Sequence, residues 1–505
     1  MTQAAFIKDV HSLFPEYLRD ESRRIGTADS ISFPESEQEI RDHLADCARQ
    51  RLPVTVQGAR TGITAGAVPE GGHILNLSRL NRIVDFRPGD SPSVVVEPGV
   101  SLAALREVIR DETAGALFLP PDPTETSASA GGMVACNASG ARSFRYGSTR
   151  RYVNRLSAIL PDGARLEIER SVQQADGRHF ALGTDTGRTI TGELPGYSGP
   201  PIKNAAGYYA RDDMDLLDLF IGAEGTLGVV SRIEFRLLRA PAIQAALLVF
   251  LPDERLAVDL VVLLREEGAA AIEFFGSGCL KLVRERQNQA VSLSADLAEL
   301  GEIPGEAGAA IYLEFHTESR EALDRLLDKT IVLIEQCGGT PERTWFAEGE
   351  KEMDRLKRFR HAVPESVNLI IGERKKKTPS LTKLGTDLAV PDEALRDMMH
   401  LYKTGLDESG LESVVFGHIG DNHLHVNILP NSLDEYERGH SLYRAWAEAA
   451  VRLGGTVSAE HGIGKLKRDF LEIMYGPQGV ADMKKVKQAF DPNGLLNRGN
   501  LFDWE

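Results

Sequence analysis

The alternating stretch Val54-Thr-Val-Gln57 leads directly into Gln57-Gly-Ala-Arg-Thr-Gly-Ile-Thr-Ala-Gly-Ala-Val-Pro69, a loop with glycine at 58, 62 and 66. Glycines there let backbone N–H groups turn towards an anion with no Cβ in the way. No Gly-Lys-Ser/Thr follows, so this is not a P-loop, and it lacks the G-x-G-x-x-G pattern of a dinucleotide-binding βαβ unit. Alone it is equally well an ordinary turn. Two later segments change that reading. Pro120-Pro-Asp-Pro123 is followed by Thr126, Ser129, Gly131, Gly132, Asn137 and Gly140, and Gly222-Ala-Glu-Gly-Thr-Leu-Gly228 comes further on. Small residues crowd both, as they must where backbone packs against a large flat cofactor.

Around these segments the first 110 residues alternate helix and strand. Ser36-Glu-Gln-Glu39 is a capping box, with Ile40, Leu44 and Cys47 following on one helical face. Ile74-Leu-Asn-Leu77 and Val94-Val-Val-Glu97 read as strands, and Ser101 caps a helix with Leu102, Leu105, Val108 and Ile109 inward. This is an α/β or α+β unit. From Pro120 to Gly147 helix formers are scarce, and a loop that long in a compact domain is usually functional or disordered. Near residue 240 a second domain begins. Ala246–Leu251 and Ala310–Phe315 are its expected strands, and Arg320–Cys337 and Glu350–Ile371 its expected helices.

Composition narrows the functional classes. A chain of 505 residues needs two or three cores. The net charge of −16 argues against a nucleic-acid partner. Cys47, Cys136, Cys279 and Cys337 form no CxxC, so zinc ribbons, iron–sulfur motifs and a disulfide framework are unsupported. Lys8, Asp9 and His11 stand where a signal peptide needs an apolar core. No run approaches the roughly 20 apolar residues of a membrane span. A cytoplasmic location is expected, and peripheral membrane attachment stays open because it needs no span.

The chemistry-bearing stretch is Gly417-His-Ile-Gly-Asp-Asn-His-Leu-His-Val-Asn427, followed by Ala459-Glu-His-Gly-Ile-Gly464. Three of the 12 histidines fall within eight positions, and a fourth, His461, stands beside Glu460. Such a group makes a metal site or an acid/base site. If 423–427 is a strand, His423, His425 and Asn427 share one face at a spacing of about 7 Å. An H-x-H pair can then hold a divalent ion at roughly 2.0–2.1 Å, and strand geometry alone picks His423 and His425.

The three glycine-rich segments, in this order, resemble the FAD-binding domain of the vanillyl-alcohol oxidase (PCMH-type) superfamily of FAD-linked oxidases. The histidine segments are similar to its D-2-hydroxyacid dehydrogenase branch, which includes D-lactate dehydrogenases, D-2-hydroxyglutarate dehydrogenase and the flavin subunit of glycolate oxidase. Phe490-Asp-Pro-Asn-Gly-Leu-Leu-Asn497 is similar to the family's terminal signature. The resemblance implies an α+β fold: a PCMH-type FAD-binding domain of two α/β subdomains over residues 1–238, and an α+β substrate (cap) domain with an antiparallel sheet over 239–455. Residues 456–505 would return to the FAD domain.

It further implies that Gly58, Ala59, Arg60, Thr61 and Gly62 cradle the FAD pyrophosphate, that Pro121, Asp122, Thr126, Ser129 and Gly132 run along the flavin, and that Glu224, Gly225 and Val230 hold the adenine side. Ala59-Arg60 stands where relatives often carry glycine; the β-carbon narrows the loop, and the arginine would add positive charge. No histidine occupies the loop position that bonds flavin covalently in some relatives, so FAD is expected to be non-covalent. For the metal, zinc or manganese, the resemblance implies His418, His425 and Glu460, with His423 at a position that is often asparagine.

The resulting expectation is a flavoprotein that oxidises a small D-2-hydroxy acid to the keto acid. The ion lowers the pKa of the hydroxyl, and His461 takes the proton. Arg360, in the helical stretch Met353, Leu356, Phe359 and Val363, is the fork-shaped cation for the substrate carboxylate, with Asn427 as a further donor. Lys383, before Asp387-Leu-Ala-Val-Pro391, is off the register that relatives use, and Arg374-Lys-Lys-Lys377 reads as a solvated loop. Electrons would leave to an electron-transfer protein, a quinone or a cytochrome, and a homodimer is compatible with all of this. The competing readings are a metal-free alcohol or phenol oxidase, and a flavin-bearing subunit of a larger electron-transfer complex.

Overall fold

Ser36 starts the first long helix, Glu37–Gln50, by accepting from Glu39 N, while Glu39 returns a carboxylate oxygen to Glu35 N at 2.8 Å. This is the reciprocal arrangement that the capping box predicts, displaced by one residue on the return bond. The computed structural model describes residues 6–288 and 301–504, so the ends of the expected domain ranges at 1–5 and 505, and the stretch 289–300, lie outside the described residues. The chain divides into two units. Unit 1 comprises Met1–Gly140, Gly147–Ala240 and Val457–Glu505; unit 2 comprises Ala141–Tyr146 and Pro241–Thr456.

Unit 1 carries two principal sheets. In the smaller, His73–Asn76 runs parallel to both Ser30–Ser32 and Val54–Gln57. The larger is antiparallel, in the order Ile83–Arg87, Ser93–Val96, Val229–Arg236, Val153–Ile159, Arg165–Glu169. Ile40, Leu44 and Cys47 of the first helix are fully buried with Val54, Leu75, Ile159, Val229 and Leu496, so one core serves both sheets. Ser101 caps Leu102–Glu112 as expected, with Leu102, Leu105 and Ile109 buried.

The stretch expected as a loop contains two short helices, Ala130–Ala135 and Ser143–Tyr146. Ser129 caps the first through Gly132 N, a start signal hidden in a run of small residues.

The terminal motif explains itself physically. Asp491 accepts from Leu495 N and Leu496 N, both at 2.8 Å, and pairs with Lys487 at 2.9 Å. Lys487 also donates to the carbonyls of Thr226 and Leu496. Asn497 receives Val56 N and donates to Glu224 O, tying the chain end to the strand and loop that flank the cavity described below.

Unit 2 is built on one antiparallel sheet ordered Thr344–Glu348, Ile243–Leu251, Ala309–Thr317, Ala271–Gly276, Ser413–His418, His423–Ile428 and Leu384–Gly385, with Leu388–Ala389 also on His423–Ile428. Met353, Leu356, Phe359, Val363, Val367 and Ile371 form the apolar stripe of the helix Glu350–Lys377 and pack on Leu248, Phe250, Phe275 and Tyr312. That helix corrects one expectation. Arg374–Lys377 is its last turn, not a loop, and Arg374 reaches Leu429 O and Glu412. Basic side chains at a helix C-terminus are favoured by the macrodipole, which the loop reading overlooked.

The early visit of Ala141–Tyr146 to unit 2 is fixed by charge. Arg142 Nε donates to the buried Glu314 at 3.0 Å, His316 lies 2.9 Å from the same oxygen, and Tyr146 Oη is 2.7 Å from His316 Nδ1. Burial opposes ionisation, yet Arg142 and His316 hold the Glu314 carboxyl well below the usual carboxylate range.

Candidate active site

In unit 1 the three glycine-rich segments meet around a cavity of ≈350 Å³, within the range of roughly 300–1,000 Å³ common for ligand sites. Gly58, Ala59, Arg60, Thr61 and Gly62 line it, as do Ser129, Gly132, Glu224, Gly225 and Val230. Gly58 is required by packing: a Cβ there would stand 2.2 Å from Ser129 Oγ, the same oxygen that accepts from Ala59 N at 3.3 Å. Among the described residues, the N–H groups of Arg60, Thr61 and Gly62 reach no protein acceptor. Half-exposed backbone donors on a curved loop suit an anion such as a pyrophosphate. The Arg60 guanidinium lies over the Tyr17 ring, 4.0 Å from its centroid, so its charge is spent on an aromatic face.

Pro121, Asp122 and Thr126 do not line the cavity. Arg106 holds Pro121 O and Asp122 Oδ1, both at 2.8 Å, and Thr126 O accepts from Ala103 N. The segment reaches the cavity instead through Pro123, Thr124, Glu125 and Ala128.

Glu460 and His461 line the same cavity. If extended they would face opposite ways; the segment is a turn, and both residues are presented together. The turn is over-determined. Ile463 N (2.7 Å) and Gly464 N (2.8 Å) donate to the buried Glu224 carboxylate, Ser458 Oγ donates to Gly462 O, and Thr64 Oγ1 reaches His461 O at 3.4 Å. Gly464 has φ +52° and a Cβ there would lie 2.1 Å from Thr64 O, so only glycine fits. Burial pushes the Glu224 carboxyl up, while those two backbone donors pull it back. Lys203 Nζ lies 3.1 Å from Glu460 Oε2, with both side chains largely buried. Sequence reading missed Lys203, which stands 257 residues away from its partner.

In unit 2 the histidines come together at the end of the paired strands Ser413–His418 and His423–Ile428, where His418 faces His423 across the ladder. Ring centroids are 5.4 Å apart for His418–His423, 5.6 Å for His418–His425 and 4.5 Å for His423–His425. Each offers a ring nitrogen within 4.8 Å of the others. An oxygen stands near one nitrogen of each ring: His418 Nδ1 and Glu273 Oε1 (2.6 Å) and His425 Nδ1 and Thr386 O (3.1 Å) are hydrogen bonds, while His423 Nε2 lies 2.9 Å from Asp387 Oδ1 as an ion-pair contact without hydrogen-bond geometry. An acceptor on one ring nitrogen keeps the proton there and turns the other into a lone-pair donor, which is the state a metal ligand needs.

Arg360 enters the same network, its Nε 2.9 Å from Glu273 Oε2. Glu273 thus holds both Arg360 and His418, and is itself almost fully buried. Asn427 is buried two places beyond His425, its Nδ2 3.4 Å from His425 O. Glu273 and Asp387 were not singled out as site residues. Asp387 carried a signal in its Asp-x-x-x-Pro segment; Glu273, in an apolar strand, carried only the oddity of a charge among Ala-Ile and Phe-Phe.

Residues 240–501 match the family of FAD linked oxidases, C-terminal domain, and residues 28–169 match the FAD binding domain. The chain belongs to the FAD-linked oxidases. It is 30% identical to "Probable D-lactate dehydrogenase, mitochondrial" of Danio rerio, over 96% of this chain and 86% of the relative. It is 29% identical to the D-2-hydroxyglutarate dehydrogenase of Stutzerimonas stutzeri (96% and 94%) and 28% identical to glycolate oxidase subunit GlcD of Bacillus subtilis (94% and 89%). Among solved structures, p-cresol methylhydroxylase with substrate bound shares the fold at TM-score 0.68 and 15% identity, over 99% of this chain and 94% of that one. The protein is therefore an FAD-dependent oxidoreductase with a PCMH-type α+β fold. The expected FAD fits what the loops provide: unengaged backbone donors, small walls and a cavity that Asn497 and Asn500 help to line.

Proposed function

We propose that this FAD-linked oxidase oxidises a D-2-hydroxy acid to the corresponding 2-keto acid with the help of a divalent ion. The observation that supports it is the imidazole cluster, with an oxygen set against one nitrogen of each ring. A metal-free alcohol or phenol oxidase has no use for such a group. D-Lactate, D-2-hydroxyglutarate, glycolate or a related acid is the substrate, in keeping with the names of the relatives.

Bound FAD supplies the two-electron acceptor for the α-hydrogen, and a bound ion supplies polarisation of the hydroxyl. The chain's own part is binding and proton movement. His418 and His425 would hold the ion through imidazole nitrogens, and the sequence resemblance adds Glu460 to the ligand set. His461 takes the hydroxyl proton on a ring nitrogen. Arg360 takes the substrate carboxylate, its guanidinium plane fixed through Nε by Glu273, and Asn427 adds a donor. The pyrophosphate of FAD is assigned to the 58–62 loop, and its adenine side to Glu224, Gly225 and Val230.

The electron acceptor is a protein, a quinone or a cytochrome. Among the described residues no helix is long and apolar enough to cross a membrane. The likeness to GlcD, named as a subunit, favours a second reading in which this chain passes electrons within a larger assembly.

Anaerobic mixing of the purified flavoprotein with a panel of D- and L-2-hydroxy acids tests the proposal. Bleaching of the oxidised-flavin band by one D-acid, abolished by a chelator and restored by Zn(II) or Mn(II), is the expected result. Bleaching by a phenol or simple alcohol that survives the chelator would replace it with the metal-free oxidase.

A further inference from the structure

We propose that His423 is itself a ligand of the ion, through Nδ1, so that unit 2 holds the metal with three imidazoles and Asp387 orients the third. This rests on the metal reading above and names a donor set that the two-histidine assignment does not contain.

Three observations carry it. First, the His423 ring is the nearest of the three to His425, at 4.5 Å, and all three rings offer a nitrogen within 4.8 Å of one another. Second, the oxygens set against the rings sort them in a consistent way. Glu273 and Thr386 O meet Nδ1 of His418 and His425, which leaves Nε2 of each as the lone-pair nitrogen. On His423 the oxygen stands at the other nitrogen: Asp387 Oδ1 is in ion-pair range of Nε2, 2.9 Å away, so Nδ1 is the ring nitrogen away from the carboxylate. The reversal follows from position. His423 opens its strand opposite His418, whereas His425 stands two residues further on the same face. Third, His423 and Asp387 are buried to 0% and 1% side-chain exposure. A carboxylate and an imidazole at that depth carry a desolvation penalty that an apolar filling would avoid. A carboxylate–histidine–metal relay is the arrangement that accounts for both residues.

The donor set has a chemical consequence. Imidazole suits zinc, nickel and cobalt, whereas manganese is better held by oxygen. Adding a third imidazole therefore moves the protein's preference towards Zn(II) and away from Mn(II), relative to a site of two histidines and a carboxylate.

The full-length flavoprotein, stripped of metal, is titrated with Zn(II), Co(II) and Mn(II) against a chromophoric chelator, with the Co(II) d–d absorption as a second readout. Wild type is expected to bind one ion. His423→Asn is expected to weaken Zn(II) by at least about tenfold, to narrow the Zn(II)/Mn(II) ratio and to change the Co(II) band. Asp387→Asn, which removes no ligand, is expected to weaken Zn(II) by about 10–100-fold. Glu460→Gln is expected to weaken Co(II) less than His423→Asn does. Flavin content and circular dichroism report folding, and Asp387→Asn serves if His423→Asn does not fold. A His423→Asn protein with wild-type affinities and an unchanged Co(II) band overturns the assignment and leaves the metal reading standing. So does Glu460→Gln losing the ion while His423→Asn keeps it. Wild type that takes up none of the three ions overturns both.

Discussion

The cavity of unit 1 and the imidazole cluster of unit 2 are made of different materials. The cavity is backbone and small side chains: Gly58 against Ser129, the N–H groups of residues 60–62, and a turn pinned by Glu224. The cluster is side chains throughout, each imidazole set by an oxygen from a distant segment. A backbone site spreads its binding over many weak donors and is damaged when a Cβ is added. A side-chain site concentrates its chemistry in a few atoms and is damaged when one is removed. The two regions should therefore respond to mutation in opposite ways, and the contrast can be broken experimentally.

Removal in unit 2 should give the largest effect. His425→Ala is expected to lose the ion and to slow flavin reduction by 2-hydroxy acids by at least about 10²–10³-fold, the worth of the several kcal/mol a metal contributes to charge stabilisation. Metal analysis and anaerobic stopped-flow absorbance measure both, and the flavin content should stay at the wild-type level. Unchanged turnover would remove the metal from the mechanism.

One atom further out, Glu273→Gln should weaken metal affinity by about 10–100-fold, as is usual for a group that orients a ligand. Because Glu273 also holds Arg360, its loss should raise KM for the hydroxy acid as well. An effect on the metal alone would show that the Arg360 contact is not used in substrate binding.

How much of this was legible depended on range. Ser36, Ser101 and the alternation in His423–Ile428 are local signals, decided by neighbours within a few residues, and the elements formed where those signals place them. The flavin fold was legible because three loops of unusual composition recur in a fixed order. Glu273 and Lys203 were not, because their partners stand 145 and 257 residues away, and nothing in one chain's pattern announces such a pairing. Arg374 was misread for the opposite reason: a charge run looks like solvent-facing loop until a helix C-terminus is found to use it.

Adding one carbon in unit 1 gives the intermediate case. Gly464→Ala places a Cβ 2.1 Å from Thr64 O at φ +52°, so the turn that presents Glu460 and His461 must shift. A loss of about 1–3 kcal/mol in urea denaturation is expected from backbone strain, with a lower flavin content at purification. Full flavin loading and unchanged stability would mean that the turn is softer than its hydrogen bonds suggest.

The last test asks how unit 1 meets acid. In unit 1, His73 is fully buried between Ser30 Oγ and Ser32 Oγ, each 2.8 Å from a ring nitrogen, with the Phe6 ring stacked at 4.1 Å. Burial drops its pKa to about 3, with the neighbouring His43 adding to the shift. The unfolded chain binds this proton near pH 6.5 and the folded chain does not, so stability should fall as pH drops through the window from 6.5 to 3 and be unaffected above it. One proton sets a limit of about 1.4 kcal/mol per pH unit. Asp20 and Glu224, whose carboxyls burial pushes up, act in the opposite sense as they take up protons, so the total slope alone is not diagnostic. The comparison with His73→Gln, which keeps both serine partners and cannot ionise, isolates the term. Urea midpoints of the two proteins should coincide in their pH dependence above pH 6.5 and separate below it, with the variant falling less steeply. Parallel curves down to pH 4 would show that the histidine is already protonated in the folded state, with the serines turned to accept from it.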